Sequence, residues 1–331
     1  METQMKTIKR EKILVTGGYG LVGHGIQEIV KQNHLNDQNQ SQRQEFIFVS
    51  SKDFDLCDLK ETQNMFETHK PNKVIHLAAN VGGLFKNMNQ KVDMLEKNVM
   101  INYNVVKCAH DYKVEKMVVC LSTCIFPDKI GEYPIVEEML HNGPPHFSND
   151  AYAYSKRLLE IHCRAYQENY GDNFICVSPT NVYGPNDNFD LENGHVLPVL
   201  IHRCFLAKQN NEDFVVRGSG KPLRQFIFSL DLAKLILLVL DKSHESNTIL
   251  SSGEEDETSI KDVATMIAKC FDYEDRIVFD TTYSDGQYKK TVSNKKILTL
   301  IQKEITNFEF ESIEKGIQET VKWFLSNKIK K

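Results

Sequence analysis

The sequence predicts an α/β fold, a Rossmann-like doubly wound parallel sheet with a smaller C-terminal α/β part. Three observations predict it. An apolar run at 13–16 enters a glycine-rich turn and then a helical pattern. Short apolar runs alternate with helical periods up to residue 180, and after that the pattern changes to loops, short strands and shorter helices. Strands that alternate with helices need crossover connections, which place helices on both faces of a parallel sheet.

The first strand is read at 13–16 (Ile-Leu-Val-Thr), and the helix after the glycine turn runs to about residue 31. Residues 33–45 are rich in Asn and Gln with no apolar period, and read as a flexible surface loop with no function of its own. Further strands are expected at 46–50, 74–78 and 117–121, with helices between them, including a long one at 90–110. A helix at 152–170 and a strand at 174–177 follow. Residues 224–240 read as a strand and an Asp231-led helix, apolar enough to return to the main sheet. The division is therefore interleaved: 1–180 with 224–250 form a nucleotide-binding domain, and the remainder of 181–331 forms a substrate domain.

The composition excludes several classes. Of 331 residues, 41% are hydrophobic and 26% charged, enough to bury a large core. A net charge of −5 gives no broad cationic footprint, so nucleic acid is not an expected partner. The longest apolar run, at 235–240, is far too short for a bilayer, so no membrane span is expected. Residues 1–12 are polar and charged, without the apolar stretch of a secretory signal. Eight cysteines fall at irregular intervals with no C-x-x-C pair. Neither a zinc site nor a disulfide framework is expected, no metal is assigned, and reduced thiols point to a cytoplasmic location.

Gly17-Gly18-Tyr19-Gly20-Leu21-Val22-Gly23 stands between the first strand and the first helix. In that context its spacing marks a dinucleotide loop. Gly17 permits the tight turn, Gly20 the close approach of a pyrophosphate, and Gly23 the close packing of helix on sheet. The helix N-terminus offers unpaired N–H groups and the positive end of its dipole to the phosphates. At the end of the second strand an Asp or Glu would bind the ribose 2′-hydroxyl of NAD. This chain has Ser50-Ser51-Lys52 there, a hydroxyl and a cation suited to a 2′-phosphate, with Asp53 following at once. NADP(H) is the expected cofactor.

Downstream, Ser122, Cys124, Tyr152, Lys156 and His195 form a candidate catalytic set. Tyr152 and Lys156 are four apart in a helical segment and so share a face. A phenol titrates at about 10, and a neighbouring ammonium with a nicotinamide cation would lower that value, making Tyr152 an acid/base near neutrality. Ser122 sits where a predicted parallel strand ends, on the side of an open sheet that binds ligands, and would hold a substrate carbonyl beside Tyr152. Cys124 lies two residues on, where a thiol of pKa about 8.5 serves as a base if its surroundings lower that value. His195 opens a helix, whose N-terminus disfavours the imidazolium and leaves the neutral ring available. Tyr, Lys and Ser suffice to pass a hydride and a proton to a ketone. A thiol and an imidazole add proton exchange at the carbons beside it.

These segments resemble the extended short-chain dehydrogenase/reductase superfamily and, more narrowly, the GDP-L-fucose synthases. The resemblance extends over nearly the whole chain. It includes His76-Leu-Ala-Ala-Asn-Val-Gly-Gly83, Ser122-Thr-Cys-Ile-Phe-Pro127, Asp187-Asn-Phe189, Gly194-His-Val-Leu-Pro198, Gly218-Ser-Gly220 and Ser284-Asp-Gly286. Ser-x-Cys together with Asn-Val-Gly-Gly and Gly-His-Val is its most specific part. The resemblance implies NADPH-dependent 3,5-epimerisation and 4-reduction of GDP-4-keto-6-deoxy-D-mannose to GDP-L-fucose. It assigns Ser122, Tyr152 and Lys156 to reduction, and Cys124 and His195 to epimerisation. It also implies cofactor contacts from Pro179, Thr180, Asn181, Val182, Lys156 and His195. Arg203, Arg217, Arg224, Asp285 and Lys290 match positions that contact the nucleotide sugar or order the C-terminal part over it. A homodimer built from the 90–110 and 152–170 helices is implied as well. One position departs from the pattern: Arg217 stands where a Trp usually precedes the Gly-x-Gly. A guanidinium can still stack on a base or pair with a phosphate.

Three other readings compete. A nucleotide-sugar 4-epimerase of this fold would need no Cys/His pair, and a 4,6-dehydratase would want a Glu in place of Cys124. A non-catalytic NADP-sensing interaction protein would tolerate loss of Tyr152 or Lys156, and both are present.

Overall fold

The computed structural model describes residues 10–36, 43–283 and 285–327. In chain order its elements are β1 (Glu11–Thr16), α1 (Leu21–Asn36), β2 (Gln44–Val49), α2 (Leu59–His69), β3 (Lys73–His76), α3 (Leu84–Asn89), α4 (Lys91–Asp111), β4 (Lys116–Cys120), α5 (Asp150–Tyr170) and β5 (Phe174–Pro179). Then come β6 (Asn181–Tyr183), α6 (Val196–Asn210), β7 (Phe214–Arg217), β8 (Leu223–Arg224), β9 (Phe226–Phe228), α7 (Ser229–Lys242) and β10 (Asn247–Leu250). The chain ends with β11 (Thr258–Ser259), α8 (Ile260–Lys269), β12 (Ile277–Asp280), α9 (Lys295–Glu304) and α10 (Ile313–Asn327).

Six strands pair in parallel in the order β2-β1-β3-β4-β5-β10. They are apolar on both sides because both faces of the sheet are covered. Leu14, Val74, Met117 and Val119 enter one core, with Val105 of α4 and Leu159 of α5. Their neighbours Ile13, Val15, Ile75, Val118 and Val177 enter the other, with Ile26 of α1 and Leu235 and Ile236 of α7. Burying each such side chain contributes about 1.5–3 kcal/mol. A third cluster, around Phe214, Phe226, Phe228, Ile267 and Phe324, joins β7, β9, α8 and α10.

β1 lies between β2 and β3, so the direction of winding reverses there. The crevice beyond the carboxyl ends of β1 and β3 is where a doubly wound sheet takes its ligand. Beyond residue 224, the strand β9 pairs with β6 outside the main sheet, because β6 continues the course of β5 past its edge. α7 packs on the second face of the sheet and β10 joins β5 at the edge.

Several boundaries differ from the sequence reading by a few residues, two of them with a clear local cause. α1 continues to Asn36, since no Gly or Pro after Gly25 stops it. β2 starts at Gln44, which pairs with Glu11 and donates its Nε2 to Glu11 Oε2 at 3.0 Å. The middle of the 33–45 loop, 37–42, lies outside the described residues, as do residues 1–9 and Ser284. Among the described residues no helix is long and apolar enough to cross a membrane. Among them also, no group of three or more His, Cys, Asp or Glu side chains is placed to hold a metal ion.

Candidate active site

The glycine loop turns at the switch point. Gly17 has φ +67°, and a Cβ there would lie 2.8 Å from Ala78 N; a Cβ on Gly23 would lie 2.4 Å from the Gly18 backbone. Neither position admits a side chain. At Gly20 the nearest protein atom would be Gly17 O at 3.4 Å, so its bare face opens on the cleft. The first N–H groups of α1 follow, a cradle that fits a pyrophosphate. Gly18 does not line the cleft. It is buried against Phe48, donates its N–H to Val49 O at 2.9 Å and accepts Gln27 Nε2 at 2.7 Å, so it shapes the loop from behind.

After β2, Asp53 folds back on its own turn. Its Oδ2 accepts the Ser50 N–H and hydroxyl, both at 2.8 Å, and these bonds lower its pKa. The carboxylate is therefore engaged within the turn. Ser51 lines the cleft, and Lys52 stands exposed beside it without lining it.

One cleft of ≈ 1180 Å³ brings Ser122, Cys124, Tyr152, Lys156 and His195 together with the glycine loop and Pro179, Thr180, Asn181 and Val182. Ser122, in extended conformation at the end of β4, caps a short 3₁₀ turn, its Oγ accepting Cys124 N–H at 3.4 Å. Its own hydroxyl proton remains available to a substrate oxygen. Lys156 is fully buried in α5, donates Nζ to Cys120 O at 2.7 Å and lies 5.9 Å from the Tyr152 ring centroid.

The Tyr152 phenol titrates well above its ordinary value of 10, driven up by burial and then by the neighbouring Cys124 and Cys120. This reverses the direction read from the sequence. Burial outweighs the ammonium because Lys156 is turned to the Cys120 carbonyl, and its own pKa is lowered by desolvation. The phenol is thus held protonated, as a proton donor must be. Burial also raises the Cys124 thiol, while Lys290, Ser122 and Lys156 pull it down. His195 precedes α6 as its N-cap, and desolvation lowers its pKa, so the neutral ring predominates.

Several positioning residues escape sequence reasoning. Asn98 is wholly buried in α4 and clamps Asn80: Oδ1 accepts the Asn80 N–H, and Nδ2 donates to the Asn80 carbonyl, both at 2.9 Å. His76 ends β3 between Thr16 Oγ1 at 2.8 Å and Asn102 Oδ1 at 3.2 Å. Gly83 donates its N–H to Asn193 O at 3.0 Å, tying the loop after β3 to the segment that carries His195. The only local sign of this scaffold is three asparagines, 98, 102 and 104, buried along one helix.

Arg203, Arg217, Arg224, Asp285 and Lys290 also line the cleft. Asp285 is engaged on both oxygens, Oδ1 with Ser219 N at 2.6 Å and Oδ2 with the Ser219 hydroxyl at 2.7 Å. Arg224 donates to the carbonyls of Leu223 and Gln287, each at 2.7 Å. These two residues order the chain around 285–288. Arg217 packs against two rings that meet edge to face, 4.6 Å from the Tyr283 centroid and 5.4 Å from that of Phe85. Desolvation and then Arg217 lower the pKa of Arg203. Four cleft residues carry buried oxygens with no protein partner, Asn87 Oδ1, Asn149 Oδ1, Thr180 Oγ1 and Asp187 Oδ2. Such a wall suits a ligand rich in hydrogen-bond donors.

The model of the NAD dependent epimerase/dehydratase family matches residues 13–251. A GDP-L-fucose synthase of Dictyostelium discoideum is 49% identical, over 97% of this chain and 98% of its own length. A probable GDP-L-fucose synthase of Drosophila melanogaster is 45% identical, over 96% and 98%. The crystal structure of a GDP-L-fucose synthetase from Naegleria fowleri bound to NADP superposes with a TM-score of 0.87 at 49% identity, covering 99% of this chain and 95% of that one. With its glycine loop, its Tyr/Lys pair and this full-length likeness, the chain belongs to the NAD dependent epimerase/dehydratase family and, within it, to the family of the GDP-L-fucose synthases.

Proposed function

We propose that this chain converts GDP-4-keto-6-deoxy-D-mannose to GDP-L-fucose by epimerisation at C3 and C5 and NADPH-dependent reduction at C4. The observation that carries the reading is the convergence of Ser122, Cys124, Tyr152, Lys156 and His195 on one cleft below the glycine loop. A ketone at C4 makes the protons at C3 and C5 acidic. Seated with its carbonyl between Ser122 and Tyr152, the sugar presents those protons to Cys124, which removes each in turn. Ser122 and Tyr152 hold the enolate oxygen, and His195, having taken a proton from solvent, gives it to the opposite face and inverts the centre. Cys124 releases its proton to solvent and His195 takes up another before the second centre is turned. Bound NADPH supplies the hydride to C4. Tyr152, kept protonated by burial, gives its proton to the C4 oxygen.

Gly20 and the first turn of α1 hold the pyrophosphate in this reading, and Ser51 and Lys52 take the 2′-phosphate. Residues 1–180 with 224–250 form the cofactor domain, and the remainder of 181–331 mainly the nucleotide-sugar domain. A homodimer is part of the proposal. Val92, Leu95, Met100 and Tyr103 of α4 and Leu158 and Ile161 of α5 are 40–65% exposed, an apolar surface suited to a second copy. Sedimentation as a monomer at micromolar concentration would count against it. A cytoplasmic location accords with eight free thiols. The direct test is mass analysis of the product after incubation with GDP-4-keto-6-deoxy-D-mannose and NADPH, and separately NADH. Absence of GDP-L-fucose from both sinks the reading.

A further inference from the structure

The thiol of Cys124 is buried, and burial alone would make it a poor base. A cation on the same cleft wall, from a distant part of the chain, opposes that effect. Residues 289–293 run extended alongside Ile135, with Ile135 N–H on Thr291 O at 2.9 Å and Ser293 N–H on Ile135 O at 2.8 Å. The Gln225 amide grips the same strip, Oε1 accepting Val292 N–H at 2.7 Å and Nε2 donating to Val292 O at 3.1 Å. Along an extended strip successive side chains face opposite ways. Lys289 and Thr291 both turn to Glu257. Val292, on the other face, is fully buried in the same apolar cluster as Cys124 and Ile125. Lys290 shares that face and lines the cleft wall with Cys124.

Among the cleft's other cations, Lys156 is bonded to Cys120 O and Arg224 to backbone carbonyls. No hydrogen bond or ion pair engages the Lys290 ammonium among the described residues. We propose that Lys290 is a positioning residue for epimerisation, the cation that stabilises the Cys124 thiolate, so that the base becomes competent only when the 289–293 strip is docked on Ile135. This rests on the proposed role of Cys124 as the base.

The electrostatics agree with that placement. Around the thiol stand Lys290, Lys156, the Arg157 guanidinium, the Tyr152 phenol and the Ser122 hydroxyl; around Lys290 stand Cys124, Arg224 and Asp128. Lys290 is the leading influence that lowers the thiol pKa. Its own is brought down to about 8 by desolvation, which leaves it mostly charged at neutral pH.

The test reads the thiol itself. The rate of Cys124 alkylation by iodoacetamide is followed against pH in the full chain, with Cys124→Ser protein subtracted to remove the other cysteines. Lys290→Met should move the midpoint of Cys124 reactivity upward by about one unit or more, and Lys290→Arg should leave it near the native position. Deuterium exchange at C3 and C5 of the keto sugar should fall about tenfold in Lys290→Met, with NADPH affinity held within about twofold. Lys290→Gln serves the same comparison if the methionine variant does not fold. An unshifted alkylation profile in the uncharged variants overturns the pairing. A shifted profile in protein that does not turn over the keto sugar supports the pairing and rejects the proposed function.

Discussion

The guanidinium of Arg217 lies over the ring of Tyr283, 4.6 Å from its centroid, with the Phe85 ring 5.4 Å away and itself edge-to-face with Tyr283 at 6.1 Å. Phe85 belongs to α3, Arg217 ends β7 and Tyr283 follows β12, so three separated segments meet at this cation. The two aromatics hold the guanidinium near Arg203, whose pKa it helps to lower.

Replacing Arg217 or Tyr283 by Ala should therefore raise KM for the nucleotide sugar about threefold to thirtyfold, a loss of about 0.5–2 kcal/mol, and leave kcat nearly unchanged. Arg217→Trp should recover most of the loss. Steady-state kinetics decide the matter, and an unchanged KM in both alanine variants would remove Arg217 from the binding surface.

Asp53 is held by Ser50 within its turn: both hydrogen bonds go to its Oδ2, which keeps the carboxylate ionised but engaged with its own loop. Lys52→Ala should weaken NADPH binding about tenfold while NADH binding changes little, because only NADPH carries the 2′-phosphate. Fluorescence titration with both cofactors measures the difference. Equal losses would show that Lys52 does not read that group.

The two chemistries should separate by substitution. Cys124→Ser keeps the fold and the Tyr152/Lys156 relay but supplies a far weaker base, so exchange of deuterium into C3 and C5 should collapse with GDP-L-fucose formation. Tyr152→Phe should cripple hydride transfer by about a hundredfold or more and leave measurable exchange, since Ser122 still supports the enolate. Native exchange in the Cys124 variant would make the thiol a bystander.

His76 supplies a pH signature in stability. Burial and the nearby Lys156 lower its pKa from 6.5 to about 3. The unfolded chain then binds a proton below 6.5 that the fold refuses, so the stabilising contribution is complete above that value and is lost as pH falls towards 3. The loss is about 1.4 kcal/mol per pH unit over that window. Asp187 has the opposite sign, since burial raises its pKa to about 7 and the fold gains on protonation. Comparing melting temperature against pH in the native chain and in His76→Gln cancels the Asp187 contribution. The variant should show a flatter acid limb, and parallel curves would reject the assignment.

How far the molecule is legible in its sequence follows the range of the interactions. The strand, turn and helix around Gly17–Gly23 can be read because their geometry is local, as can the one-turn spacing of Tyr152 and Lys156. The Asn98 clamp on Asn80 cannot, because it exists only once α4 lies against the loop after β3. Asp285 and Ser219 are 66 residues apart, and no local pattern announces that the carboxylate is engaged. The direction of the Tyr152 pKa is missed for a related reason: the sequence names the ammonium nearby but not the carbonyl it turns to, nor the depth of burial.

The pairing of β10 with β5 limits how the protein can be divided. β10 arrives from residues 247–250, yet it covers the edge of a strand that ends at Pro179. Every residue of β5 is buried. A fragment stopped near residue 180 would display that strand's free N–H and C=O groups beside an apolar face, a template for edge-to-edge association. Genetic dissection into a cofactor half and a sugar half should therefore give aggregates, and working pieces require both segments of the chain to be present during folding.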